Sequence, residues 1–428
     1  MRRVLFVPGV LGVVAVATIA LAGPAGAAPT TTRLSSTTGG APADDFSTMP
    51  GLSDDGRFAT FTSDAHNLVP RDPVNFQSQV FVKDRQTGAL DLVSVSSPGA
   101  EGNRTSGAFS PAPVTPDGRF VAFQSDASNL VPGDTNNVPD VFLRDRKLRT
   151  TTRISVSSTG AQSAGGGGSP MAISADGRYM LFLSRATDLV PGDTNGSATD
   201  VFVRDTVAGT TTLVSTKRDS TQVKDDTVGW DMTGDGRYVL FSSLGRYTAD
   251  DRNADPDAFV KDLRTGAVER VDRTTSGRDF PGGTNFAPVS MSADGRFVAF
   301  NAAPRNQLPQ IYVRDRQRRT TTLVSVNVNG RPGNRSSFGV SISPNGRFVA
   351  FNTTADDMAT PGTQDFAQIY VRDLQAKTTV RASVTSTGLT VPQSTGEEFM
   401  SDAGVAFRSF FDVVPPGNDK EGVYFRSL

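Results

Sequence analysis

Along the chain, short apolar runs alternate with tight turns rather than with the long amphipathic stretches that helices need. One copy reads Val289-Ser290-Met291-Ser292-Ala293-Asp294-Gly295-Arg296-Phe297-Val298-Ala299-Phe300. Two short strands there flank an Asp-Gly pair, which suits the positive φ angles of a two-residue hairpin turn. The second run is apolar at consecutive positions (Phe120 to Phe123, Tyr179 to Phe182, Phe297 to Phe300, Phe348 to Phe351), which predicts a strand buried on both faces. A third strand follows as Val141-Phe142-Leu143-Arg144-Asp145, Val201-Phe202-Val203-Arg204-Asp205 and Ile311-Tyr312-Val313-Arg314-Asp315. A Thr-rich segment comes next, such as Thr150 to Ser157 or Thr320 to Val326, β-branched yet polar enough for an outer edge.

This unit recurs seven times, at Gly56, Gly118, Gly177, Gly236, Gly295, Gly346 and Gly404, with gaps of 51 to 62 residues. That period and four strands per copy predict an all-β fold, a seven-bladed β-propeller of four-stranded antiparallel blades. Thr30 to Ser36 matches the outer-strand segment Thr150 to Val156, but no first three strands precede it. At the other end Phe407 and Val423-Tyr424-Phe425-Arg426 give a second and third strand without a fourth before Leu428. The N-terminal strand is therefore expected to pair into the last blade and close the ring.

The turns Ser174-Ala175-Asp176-Gly177-Arg178 and Ser343-Pro344-Asn345-Gly346-Arg347, each followed by an apolar strand and then Ile/Val-Tyr/Phe-Val-Arg-Asp, resemble the WD40-like repeats of TolB-type β-propellers. The resemblance implies a ring that binds partner proteins or peptides at one face. The same repeat class includes the propeller halves of peptidases. The chain departs from TolB in lacking a separate N-terminal domain and in having seven repeats where TolB has six blades.

Residues 1–27 read as a secretory signal: Arg2 and Arg3, an apolar run from Val4 to Ala22, then Ala25-Gly26-Ala27 as a small-residue cleavage site. Residues 28–428 are then a single propeller domain, secreted, extracellular or in the cell envelope, with no later span long enough for a bilayer. The absence of cysteine excludes disulfides and thiol chemistry. Without the leader, 41 basic residues face 44 acidic ones, a balance that offers nucleic acid no footprint. One Trp and 6 Tyr beside 27 Phe place most rings in buried contacts rather than in recognition platforms.

Strand order puts the first-to-second and third-to-fourth turns on one face and the longer connections, such as Asp126 to Pro139, Arg185 to Thr199 and Thr159 to Pro170, on the other. The loop-rich face is where contacts are expected. Residues repeated in nearly every blade read as scaffold, here the Arg after the turn Gly (Arg57, Arg119, Arg178, Arg237, Arg296, Arg347) and the Asp ending the third strand (Asp84, Asp145, Asp205, Asp262, Asp315, Asp373). Departures from the repeat are the better binding candidates: Trp230 and Asp231 in the fourth blade, Arg408 and Phe410 in the seventh. The competing reading of Trp230 is packing near an inner strand.

Three loops alternate Asp and Asn at spacings that could wrap a hard cation: Asp134, Asn136 and Asp140; Asp193, Asn195 and Asp200; Asp251, Asn253, Asp255 and Asp257. Calcium is the one cofactor this suggests, and side-chain turns that hold each loop are the alternative. Catalytic parts are scarce. His66, the only histidine, stands where the sister loops have Ser128 and Thr187 and reads as a solvent-facing variant, and no Gly-x-Ser-x-Gly elbow occurs. Asp231 and Asp235 are the only channel carboxylates to name for glycosidase or lyase chemistry, and Asp235 also matches the turn residue Asp294. The expectation is thus a monomeric, secreted, non-catalytic binding module for a protein, peptide or cell-surface glycan. An extracellular hydrolase or lyase at the channel mouth and a calcium-stabilised structural envelope protein are the alternatives.

Overall fold

The computed structural model describes residues 28–428 apart from 71–76, 109, 166, 281–282, 285–287, 305–306, 360–365, 392–394, 416 and 418–419; the leader lies outside the described residues. The fold is all-β, seven antiparallel blades in a ring. In the first blade the strands Ser47–Leu52, Phe58–Ser63, Gln79–Asp84 and Leu90–Leu92 pair in sequence order from the channel outwards, and the later blades repeat that order. Among the described residues the second blade has three strands, since Pro111 and Pro113 in its innermost segment have no N–H to give a ladder. Bridges from Ser106 to Ser125 and Val114 to Val121 hold that segment in place instead.

The ring closes as the repeat predicts. Thr31–Arg33 pairs antiparallel with Gly422–Ser427, with Thr31 opposite Arg426, Thr32 opposite Phe425 and Arg33 opposite Tyr424. The last blade is therefore built from both ends of the described chain. Its outer strand is shorter than Thr30 to Ser36, and Thr150–Arg153 likewise stops before Ser157, because the residues beyond turn inwards: Leu34, Ile154 and Val156 are buried.

Each blade's core sets a second-strand Phe against a third-strand aromatic with centroids 5.5 to 6.1 Å apart, stacked in six blades, as in Phe61 on Phe81, and tilted in the last, between Phe407 and Tyr424. The Asp-Gly-Arg-aromatic signature locks blades together. In the third blade, Asp176 caps the turn by accepting from Ser174 Oγ and the Arg178 N–H. Arg178 pairs with Asp205 at 2.8 Å and lies over the Tyr179 ring at 4.9 Å. That ring in turn packs on the turn glycine of the next blade: a Cβ on Gly236 would lie 2.3 Å from Tyr179. The Arg–Asp pair recurs at Arg57–Asp84, Arg119–Asp145, Arg237–Asp262, Arg296–Asp315 and Arg347–Asp373, so these residues build blades.

Candidate functional site

The two faces of the ring are used differently. On the tight-turn face, backbone bonds run from turn to turn around the channel: Ala175 N–H to Gly234, Gly234 to Ala293, Ala293 to Pro344 and Asp402 to Asp54. Pro344 has no N–H to pass on, and the gap is bridged by the Asn345 N–H donating to the Asp402 carboxylate at 3.0 Å. That face is committed to holding the ring.

Five innermost strands carry a β-bulge at the same height, at Met49-Pro50, Met171, Trp230, Gly339 and Glu397-Glu398. Trp230 is thus re-aimed by a bulge. It is half-buried, packed against the cluster of Leu240, Val298 and Phe300, and its Nε1 donates to Ser242 Oγ at 2.8 Å. Asp231 accepts from the N–H groups of Met232 and Met291 at 2.8 and 2.9 Å, the second in the next blade. Ser290 and Ser341 make the same inter-blade bond, to the N–H groups of Ile342 and Met400. Burial of the Asp231 carboxyl raises it to about 7. Asp235 accepts from Thr233 Oγ1 and the Arg237 N–H as its sister turn residues do.

Arg408 and Phe410 come together at the seam of the last and first blades, on the loop-rich face. Arg408 binds Glu397 at 2.7 Å, contacts Glu421 and lies 4.8 Å over the Phe410 ring. Glu397 also accepts from the Met49 N–H of the first blade at 2.9 Å. Both Met49 and Glu397 have positive φ, 53° and 54°, an uncommon backbone for residues with side chains. Next to them, Lys420 pairs with Asp45 at 3.6 Å and covers the Phe46 ring at 5.1 Å. Phe46, Phe410 and Phe411 are 47, 44 and 40% exposed. Sequence reading finds Arg408 and Phe410 as departures from the repeat. It does not find Phe46 or Lys420, whose link and loop vary between blades.

The Asp/Asn loops are braced from within. In blades where the third strand begins with Gln, that one side chain does two jobs: Gln310 accepts from Ser325 Oγ at 2.6 Å and donates to the Gly333 carbonyl. Where the strand begins with Asp, a loop Asn takes over the donation. Asp140 accepts from Ser155 while Asn136 donates to the Ser163 carbonyl; Asp200 accepts from Ser215 while Asn195 donates to Val223. Gln162 then bridges Asp134 and Asp140, and Gln222 bridges Asp193 and Asp200 at 3.0 and 3.1 Å. Arg153 adds a buried positive charge 3.6 and 3.5 Å from Asp134 and Asp140. Burial raises both Asp140 and Asp200 above the usual carboxylate range. In the fourth blade Arg270 lies among Asp251, Asp257, Asp272 and Asp279; Asn253 donates to Asp257 at 3.5 Å and accepts from the Asp255 N–H. Among the described residues no group of three or more His, Cys, Asp or Glu side chains is already arranged to hold a metal ion. His66 is half-buried rather than solvent-facing, with its backbone N–H donating to the Asp44 carboxylate.

No protein-family model matches the chain and no curated protein matches it. Among solved structures, oligogalacturonate lyase in complex with manganese is 13% identical over 94% of this chain and 90% of its own, with a TM-score of 0.53. A prolyl endopeptidase gives a TM-score of 0.53 at 12% identity over 90% of this chain and 50% of its own. TolB from Acinetobacter baumannii is also matched, with a TM-score of 0.41 at 19% identity over 71% of this chain; the match spans 59% of the TolB chain. What the likeness to the lyase and the endopeptidase establishes is the propeller fold. Among the described residues no helix is long and apolar enough to cross a membrane.

Proposed function

We propose that the chain is a secreted, non-catalytic propeller that binds a protein or peptide partner through its loop-rich face, at the seam of the last and first blades. The observation that carries this reading is the group of three exposed phenylalanines, Phe46, Phe410 and Phe411, two of them covered by the cations Lys420 and Arg408. Exposed aromatic side chains with adjacent Arg are the residue types that anchor partners. The strained backbone at Met49 and Glu397 adjoins them. The opposite face is tied up in the turn-to-turn bonds that hold the ring. The hydrolase or lyase alternative gains no support from its named carboxylates, because Asp231 and Asp235 each accept bonds that hold the chain in place.

A displayed random-peptide library panned on the intact protein tests this, with a glycan array run in parallel. Peptides enriched on the wild type are expected to bind Phe46→Ser/Phe410→Ser/Phe411→Ser at least ~10-fold more weakly, the scale of losing anchor side chains. They should bind Leu148→Ser/Val207→Ser equally well, since those exposed apolar residues lie in tight turns on the opposite face. No enrichment, or equal loss in both variants, would refute the seam site. Binding confined to glycans would replace the peptide partner.

A further inference from the structure

One cluster on the loop-rich side of the fourth blade breaks a rule its sisters keep. In five blades a serine just past the outer strand donates to the side-chain oxygen that begins the third strand: Ser94 to Gln79, Ser155 to Asp140, Ser215 to Asp200, Ser325 to Gln310 and Ser383 to Gln368, at 2.5 to 2.6 Å. In the fourth blade the corresponding residues are Asp272 and Asp257. An ionised carboxylate has no proton to donate, so an acceptor faces an acceptor. Asp272 is 1% exposed, and among the described residues no side-chain donor reaches either of its oxygens, nor Oδ1 of Asp251.

Arg270 answers only part of this charge. Its guanidinium bonds Asp257 Oδ2 at 3.1 Å and contacts Asp279, but Asp251 and Asp272 stand 3.6 and 3.9 Å away, beyond hydrogen-bond reach. The carboxyls of Asp251 and Asp272 both abut that of Asp257, and burial together with this neighbouring charge pushes them above the usual range. In the second blade Arg153 faces only Asp134 and Asp140, a net charge of −1, and Gln162 donates to both. Four aspartates around Arg270 leave −3 in the fourth blade, eased only by the Asn253 amide 3.5 Å from Asp257 and by the charge of Arg246 on Asp251; among the described residues no side-chain amide reaches Asp272. Burying such an excess without a counter-charge is costly.

We propose that this cluster takes up one divalent cation of the calcium class, held by Asp251, Asp257 and Asp272. The ion would bring −3 to −1, the charge that the second blade carries at the same place. A set made only of carboxylate oxygens suits calcium or magnesium rather than zinc or copper. Among the described residues no three carboxylates surround a metal position, so binding requires Asp251 and Asp272 to move in towards Asp257 and Arg270 to leave Asp257 for Asp279. The ligands are not the Asp/Asn series of the loop alone. Asp272 comes from beyond the outer strand, and Asn253 is spent on the Asp255 N–H. The inference stands apart from the seam reading, as the two sites lie in different blades.

Calcium titration of the chelator-treated intact protein by calorimetry, with melting curves at each concentration, tests it. One saturable site per chain and a melting temperature that rises with calcium are expected for the wild type. Asp272→Ser, which installs the residue of the sister blades, is expected to fold, to melt above the metal-free wild type and to lose calcium affinity at least tenfold. Asp251→Asn should weaken binding while leaving the serine rule untouched. A wild type that binds neither calcium nor magnesium would overturn the proposal and leave protons to neutralise the cluster. Undiminished affinity in Asp272→Ser would place the ion elsewhere and overturn it equally.

Discussion

Lys83, in the third strand of the first blade, donates from Nζ to the Ser36 carbonyl 2.9 Å away, in the link that leaves the last blade. Arg144 reaches Ser96, Arg204 reaches Ser157, Lys261 reaches Thr216 and Arg314 reaches Thr274 in the same way, at 2.8 to 3.3 Å. Each cation grips the blade before it, and Lys83 grips across the closing seam. Lys83→Met leaves a buried carbonyl without its charged donor, at an expected cost of about 1–3 kcal/mol. A lowered denaturation midpoint would report it. The same change at exposed Lys147 should stay within about 0.5 kcal/mol.

The turn glycines carry two constraints that separate variants can resolve. Gly177 has φ +73°, and a Cβ there would sit 2.3 Å from the Phe120 ring of the preceding blade. Gly160 has φ +82° with nothing within 4 Å. Gly160→Ala is therefore expected to cost about 1 kcal/mol from backbone strain alone, whereas Gly177→Ala adds about 1–3 kcal/mol for displacing the ring. Thermal melts of the two variants compare them directly. Equal losses would deny that the glycines form part of the contact between blades.

The blade count and the closure are legible in the sequence because the features that build each blade are local and repeated. Asp, Gly, Arg and the aromatic of one signature act within their own blade or on the adjoining one. The candidate sites are less legible because they depend on residues brought together from distant links. Gln162, Gln222, Asp272 and Asp279, which decide what the Asp/Asn loops face, lie beyond the outer strands at positions that recur from blade to blade but change residue type, with Pro42, Glu101, Pro332 and Thr390 standing where Gln162, Gln222 and Asp279 do. Trp230 and Asp231 stand out in sequence as departures from the repeat, yet one packs on a core cluster and the other tethers the next blade. Phe46 looks unremarkable until Lys420 is placed over it.

Glu398 offers a pH test of the last blade. It is 9% exposed, its Oε1 has no hydrogen-bond partner among the described residues, and its carboxyl occupies the space left by Gly339, where a Cβ would lie 2.1 Å away. Burial, and secondarily the charge of Glu397, raises it from 4.5 to about 7. Between those values the folded state holds a proton that the unfolded chain has released. Stability from the protonated form is thus full below pH 4.5 and lost as pH rises through 7. Glu398→Gln does not titrate, so it should gain on the wild type from pH 4.5 to 8 by about 3 kcal/mol. A difference independent of pH would contradict this.

The seam exists only if the first strand completes the last blade, and a cross-link tests that pairing most directly. The sequence has no cysteine, and Thr31 lies opposite Arg426 across the antiparallel pair, within the Cα separation of about 4.4–6.8 Å that a disulfide spans. Under mild oxidation Thr31→Cys/Arg426→Cys is expected to form an intramolecular disulfide in most molecules, read by mass spectrometry of the digested chain, while Thr31→Cys/Thr210→Cys, with its second thiol in the third blade, forms none. An uncross-linked first pair, or one bridged only between separate chains, would mean that the ring does not close this way.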